Sequence, residues 1–125
     1  MELFRTDHFV VVERPGEPFL RILRSNQPFG TLLDTERAYR QALVALEKLG
    51  TNRALLDLRE GPPGRNDPEF EKVSEHWRLE LGRLFEKCSV LVKSAAGKLQ
   101  IKRHTRGAPQ FLVTQSEAEA IGFLL

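Results

Sequence analysis

Apolar and polar positions change period several times along the chain, and each change marks an element. Residues 8–13 hold Phe9, Val10, Val11 and Val12, β-branched and aromatic in the way strands favour. Residues 19–24 alternate Leu20, Arg21, Ile22, Leu23 and Arg24 and predict a second strand. The link Arg14-Pro15-Gly16-Glu17-Pro18 is short and turn-forming, so the pair reads as an antiparallel hairpin. Tyr39, Ala42, Leu43, Leu46 and Leu49 then recur at helical spacing, with Glu36, Arg37, Arg40, Gln41, Glu47 and Lys48 on the other face. Asp34 is the expected N-cap of this helix and Gly50 its left-handed stop.

The second half repeats a strand-then-helix rhythm. Residues 53–58, with Leu55, Leu56 and Leu58, read as a short buried strand that runs into a stiff loop, Glu60-Gly61-Pro62-Pro63-Gly64-Arg65-Asn66. Asp67, Pro68 and Glu69 then signal a helix start strongly: a preferred cap, a residue pre-shaped for the first turn, and a charge suited to the positive end of the dipole. Its expected apolar stripe is Phe70, Val73, Trp77, Leu81 and Leu84, and its expected end is near Glu86. Residues 88–92 are the next strand. Ser94 caps a helix through Ala95, Ala96, Leu99 and Ile101; Gly107-Ala108-Pro109 is a loop; residues 110–114 are the last strand. Ser116-Glu117-Ala118-Glu119 has the form of a capping box before a final helix with Ala120, Ile121, Leu124 and Leu125. The order β-β-α-β-α-β-α-β-α predicts an α/β fold with a mixed, largely parallel five-stranded sheet and four helices. Leu55, Leu56, Val90, Leu91, Phe111 and Val113 are its expected centre.

At this point three segments resemble the STAS domain, and more closely its stand-alone SpoIIAA-like group, the fold of bacterial anti-sigma factor antagonists. They are residues 54–59 leading into a loop and long helix, residues 90–99, and residues 111–124. The resemblance covers most of the chain. It implies a regulatory or protein-interaction module, and a Ser or Thr phospho-acceptor in the loop that ends at the start of the second long helix. Here the matching stretch, Glu60 to Asp67, holds no Ser or Thr, and Ser74 lies one or two turns inside the helix. Asp67 can stand there as a fixed negative charge, although helix capping by itself accounts for it.

Composition narrows the chemistry. The 125 residues are 41% hydrophobic and 29% charged, as expected of one ordinary folded domain spanning 1–125. A single cysteine, Cys88, excludes an internal disulfide and sits in an apolar run where a buried, inert thiol is expected. The three histidines are scattered without partner cysteines, so no metal site or other cofactor is expected. No signal-peptide pattern opens the chain and no apolar run approaches the length of a membrane span, so the expected setting is the reducing cytoplasm. Net charge is +2, but Lys87, Lys93, Lys98, Lys102, Arg103 and Arg106 fall in a segment, 87–115, with no acidic residue. Such a segment suits an acidic protein surface, an anionic small molecule or a lipid head group, or is simply a solvated face. A nucleic acid is a further partner for such a segment, but a weakly supported one, because no aromatic residues interleave with the basic ones.

Asp57 closes a buried strand, and its expected role is to accept N–H groups of the next loop rather than to act in a triad, since no His or Cys is spaced to join it. His76 is not expected as a ligand, and Trp77 is read as core. Two function classes result. The first is a non-enzymatic interaction module using Arg59, Arg65, Asn66, Asp67, Lys93, Ser94 and Lys98, on two loops expected at one edge of the sheet. The second is a carrier of a small ligand or lipid head group, its anion held by Lys98, Lys102, Arg103 and His104. A deep, partly apolar pocket separates the second from the first. No catalytic residue is assigned, and self-association is left open.

Overall fold

The computed structural model describes residues 1–63, 65 and 67–125. Its strands are β1 (Glu2–Arg5), β2 (Phe9–Val12), β3 (Leu20–Arg24), β4 (Arg53–Asp57), β5 (Lys87–Leu91) and β6 (Phe111–Thr114). Its helices are α1 (Leu32–Glu47), α2 (Pro68–Leu84), α3 (Ala95–Thr105) and α4 (Glu117–Leu124). The strands lie side by side in chain order as one six-stranded sheet. β1, β2 and β3 form an antiparallel meander, and β3 through β6 are parallel.

The expected α/β class and mixed sheet are therefore present, with six strands instead of five. The extra one, β1, is a half-exposed edge strand paired with Val10, Val11 and Val12 across a bulge. Its Glu2, Leu3, Phe4 and Arg5 show too little apolar patterning to announce a strand; the open hydrogen-bonding edge of β2 makes it one. The charged Glu2–Arg5 pair leaves that edge polar, which discourages further pairing.

Register explains the layering. Val11, Ile22, Leu56, Val90 and Val113 are paired in one row across five strands. That row, with Ala54 and Cys88, packs beneath α1, α2 and α3 through Ala42, Leu43, Leu46, Leu81 and Ile101. One residue along, Leu55 and Leu91 face the other way and pack with Phe19 against Ala120 and Leu124 of α4. Five of the six residues expected at the centre are buried; Phe111, on the last strand, is half-buried.

The helix starts follow their capping chemistry. Asp67 Oδ1 accepts the Phe70 N–H at 2.9 Å, with Pro68 at the first helical position. Ser94 Oγ accepts from Gly97 N at 3.1 Å, and Ser116 Oγ from Glu119 N at 3.2 Å. For α1 the expected cap is corrected. Thr31 is the N-cap and Asp34 sits three residues in, where its carboxylate accepts from Thr31 N at 3.0 Å while Thr31 Oγ1 accepts from Asp34 N at 3.1 Å. The reciprocal pair satisfies two backbone donors where Asp34 as a cap would satisfy one. α2 stops at Leu84, before Glu86, while α3 continues past Ile101 to Thr105. Lys102 and Arg103 occupy its last turn, where positive charge complements the dipole, and Arg106 ends it at φ 52°.

Candidate functional site

The carboxyl ends of β3, β4 and β5 open into a cleft of about 760 Å³ on the α1–α3 side of the sheet. The end of β3 and the segment after it contribute Arg24 and Phe29, and the loop after β4 contributes Leu58, Arg59, Gly61, Pro62, Pro63 and Arg65. The inner face of α2 presents Phe70, Ser74 and Arg78, while the start and inner face of α3 present Ser94, Gly97, Ile101 and His104. Carboxyl strand ends are the usual receiving edge of parallel sheets.

The polar groups at the bottom of this cleft are buried and incompletely paired. Arg78 is 4% exposed; its Nε has no hydrogen-bond partner, and its guanidinium pairs with no carboxylate among the described residues. It stands 6.0 Å from the centre of the Tyr39 ring. Arg24, also buried, donates from Nη1 to Ser25 O at 2.7 Å and lies 4.0 Å over the Phe29 ring. Burial lowers its pKa, and no acid among the described residues opposes that effect by pairing. Ser74 Oγ is buried without a partner. Leaving such groups unmatched costs about 1–3 kcal/mol each, more when charged, and lining one cavity they are candidate ligand contacts.

His104 occupies the side wall. Its Nε2 meets Glu71 Oε2, and its Nδ1 is buried without a partner. Burial lowers its pKa, and the charges of Arg78 and Arg103 act the same way against the pull of Glu71. Burial alone would raise the Glu71 carboxyl's pKa, but bonds from His104, Gln100 and Arg103 hold it below its ordinary value. The pair is thus a neutral imidazole giving Nε2–H to a carboxylate. A hydroxyl, a histidine and a carboxylate are all present, and Ser74 Oγ and His104 Nδ1 are not hydrogen-bonded to each other.

The residues expected to bind a partner divide. Arg59 is held by Asp57, with bonds of 3.0 and 2.8 Å, and by Glu117 at 3.0 Å. Asp57 also accepts Arg59 N–H at 3.0 Å, the satisfied-carboxylate role expected of it. Arg65 is paired to Asp67 at 2.9 Å. Both arginines and the exposed Lys93 and Ser94 line the cleft mouth; Lys98 does not line the cleft. Asn66 lies outside the described residues. Of the residues expected to hold an anion, Lys98 and Lys102 stand away from the cleft while Arg103 and His104 line it. His104 is 3% exposed, so it contributes from the cleft interior and not as part of a surface cluster.

The deep cations Arg24 and Arg78 were absent from both expected sets. Signals for them exist in the sequence. Arg24 keeps the strand parity of Leu20 and Ile22. Phe70, Ser74, Arg78 and Leu81 make a helical stripe one residue round from the expected one, and they are the buried face of α2. Val73 and Trp77, read as core, are half-buried beside it, with Trp77 stacked 6.4 Å from Tyr39. Among the described residues no group of three His, Cys, Asp or Glu side chains is placed to hold a metal ion.

Among solved structures, the protein is similar to an uncharacterized protein of the DUF3478 family with a SpoIIAA-like fold, from Shewanella loihica PV-4. The two share 13% identity and a TM-score of 0.60, over 98% of each chain. The chain has a SpoIIAA-like fold. No family model and no curated protein matches the sequence. At this identity the likeness carries the architecture and leaves the site to be read from its own residues. Within the SpoIIAA-like frame the loop-to-helix junction after β4 forms the cleft rim, and Ser74, the hydroxyl that follows it on α2, is 1% exposed. No helix among the described residues is long and apolar enough to cross a membrane.

Proposed function

We propose that this protein is a non-enzymatic binding module whose cleft takes a small organic anion. The observation that carries the reading is Arg78, a buried guanidinium with no carboxylate among the described residues, opening on a cavity of ligand size. Arg24 adds a second buried cation, and the first turn of α3 adds the positive end of a helix dipole. The cleft favours the carrier reading of the sequence over a flat docking face. A protein partner remains a second reading, supported by the SpoIIAA-like fold and by the basic rim of Arg59, Arg65 and Lys93, through which an occupied cleft would be sensed.

The test is titration of the full chain with anilinonaphthalene sulfonate, an anionic aromatic probe whose emission rises on burial. Saturable binding that falls at least about tenfold in Arg78→Gln, with the far-UV spectrum unchanged, is expected. Equal binding by wild type and variant refutes the reading.

A further inference from the structure

The charges of the cleft are not equivalent, and their distribution specifies the ligand beyond its being an anion. Seven basic side chains line it: Arg24, Arg59, Arg65, Arg78, Lys93, Arg103 and His104. Among the described residues no acidic side chain does. At the mouth, however, three of them already have carboxylates behind them: Arg59 with Asp57 and Glu117, Arg65 with Asp67, and Arg103 with Glu71. His104 is neutral. The unspent positive charge is therefore Arg24 and Arg78 in the interior, with Lys93 at the surface. The two arginines stand against one aromatic cluster, since Arg24 covers Phe29, Arg78 faces Tyr39, and the Phe29 and Tyr39 rings are 5.2 Å apart.

The walls leading out from that point are apolar. Val92, Ile101 and Phe70 are buried, Leu58 is half-buried, and Leu99 at the cleft's edge is 62% exposed. A hydrophilic polyanion meets neutralised cations at the mouth and hydrocarbon along the walls. A bare inorganic anion fills the arginine end and leaves most of about 760 Å³ without contacts. We infer that the ligand is an amphiphilic acid, seated head-first: one terminal oxyanion, carboxylate or phosphate, on Arg24 and Arg78, and an apolar body along the Phe70, Val92 and Ile101 wall toward Leu99. This rests on the anion-binding reading above and adds the ligand class and its direction. Planar guanidiniums match both oxyanions in paired hydrogen bonds, and burial beside aromatic rings makes those bonds count for more than they would in water.

The experiment is isothermal titration of the full chain with butanoate, octanoate, dodecanoate, dodecyl phosphate, dodecanol, inorganic phosphate and adenosine monophosphate, each below its aggregation threshold. Affinity is expected to rise along the alkanoates by about fourfold for each methylene buried. Dodecanol is expected to bind at least about tenfold more weakly than dodecanoate, because it leaves the guanidiniums unmatched. Tighter binding of dodecanoate or of dodecyl phosphate identifies the head group, and either order supports the inference. Arg24→Gln and Arg78→Gln should each lose about tenfold or more for dodecanoate, and Lys93→Gln less than about threefold. Arg78→Lys, which keeps the charge and the stem, controls for folding and should retain part of the affinity. Inorganic phosphate or adenosine monophosphate binding as tightly as dodecanoate, with no dependence on chain length, overturns the amphiphile and leaves the anion reading standing. Failure of every anion, anilinonaphthalene sulfonate included, overturns both.

Discussion

Replacing Arg78 by methionine is expected to make the empty protein more stable and to remove its ligand. The side chain is 4% exposed, its Nε has no partner, and no carboxylate among the described residues compensates its charge. Met keeps most of the aliphatic stem, so the packing of that stem is largely conserved. What is lost is the aromatic contact with Tyr39, at 6.0 Å a weak one worth about 0.5–1 kcal/mol. What is relieved is the burial of a charge. Replacing even paired buried charges by apolar isosteres has stabilised proteins by about 1–4 kcal/mol. The net expectation is a gain of about 1–2 kcal/mol, or roughly 4–8 °C in midpoint for a chain of this size. Urea melts of ligand-free wild type and Arg78→Met at pH 7.5 measure it, through the transition midpoint at unchanged slope. In the presence of saturating ligand the order should reverse, since ligand at about one hundred times Kd adds about 2.7 kcal/mol to wild type alone. A loss of more than about 1 kcal/mol in the empty variant would mean that the guanidinium is satisfied in solution, which refutes an anion site at Arg78.

Three further outcomes are expected. The pKa of His104 is lowered in the folded protein, so the unfolded chain takes up its proton first. Stability should therefore decline as pH falls below the ordinary imidazole value near 6.5, by at most about 1.4 kcal/mol per pH unit, and level off below the folded value; urea melts from pH 7.5 to 5 should show a shallower decline in His104→Gln. Asp67→Ala should cost on the order of 1 kcal/mol through loss of the α2 cap, read by denaturant melts. Burial pushes the Cys88 thiol up to about 12, so a thiol-reactive dye should label the native protein only as fast as it unfolds; rapid stoichiometric labelling would contradict the packing.

Much of the fold was written in local sequence. Asp67-Pro68, Ser94 and Ser116 each began the helix expected of them, because a cap needs only a side-chain oxygen a few residues from an orphan N–H. The β2–β3 hairpin and the buried strands β4 and β5 followed from short apolar runs bounded by turn residues, and Cys88 and Asp57 took the roles their neighbours implied. Interactions that depend on distant partners were not legible. β1 exists because β2 has an open edge, and Thr31 displaces Asp34 as the α1 cap because the two satisfy each other. The same division runs through the site. The sequence displayed its basic rim, Arg59, Arg65, Lys93 and Arg103, since exposed charge is visible as composition. Whether such a charge is free depends on carboxylates far away in the chain, such as Glu117 for Arg59 and Glu71 for Arg103. Arg24 and Arg78 are free because β3 and α2 carry them to interior positions where no carboxylate among the described residues pairs with them, and only the assembled α/β layers decide that.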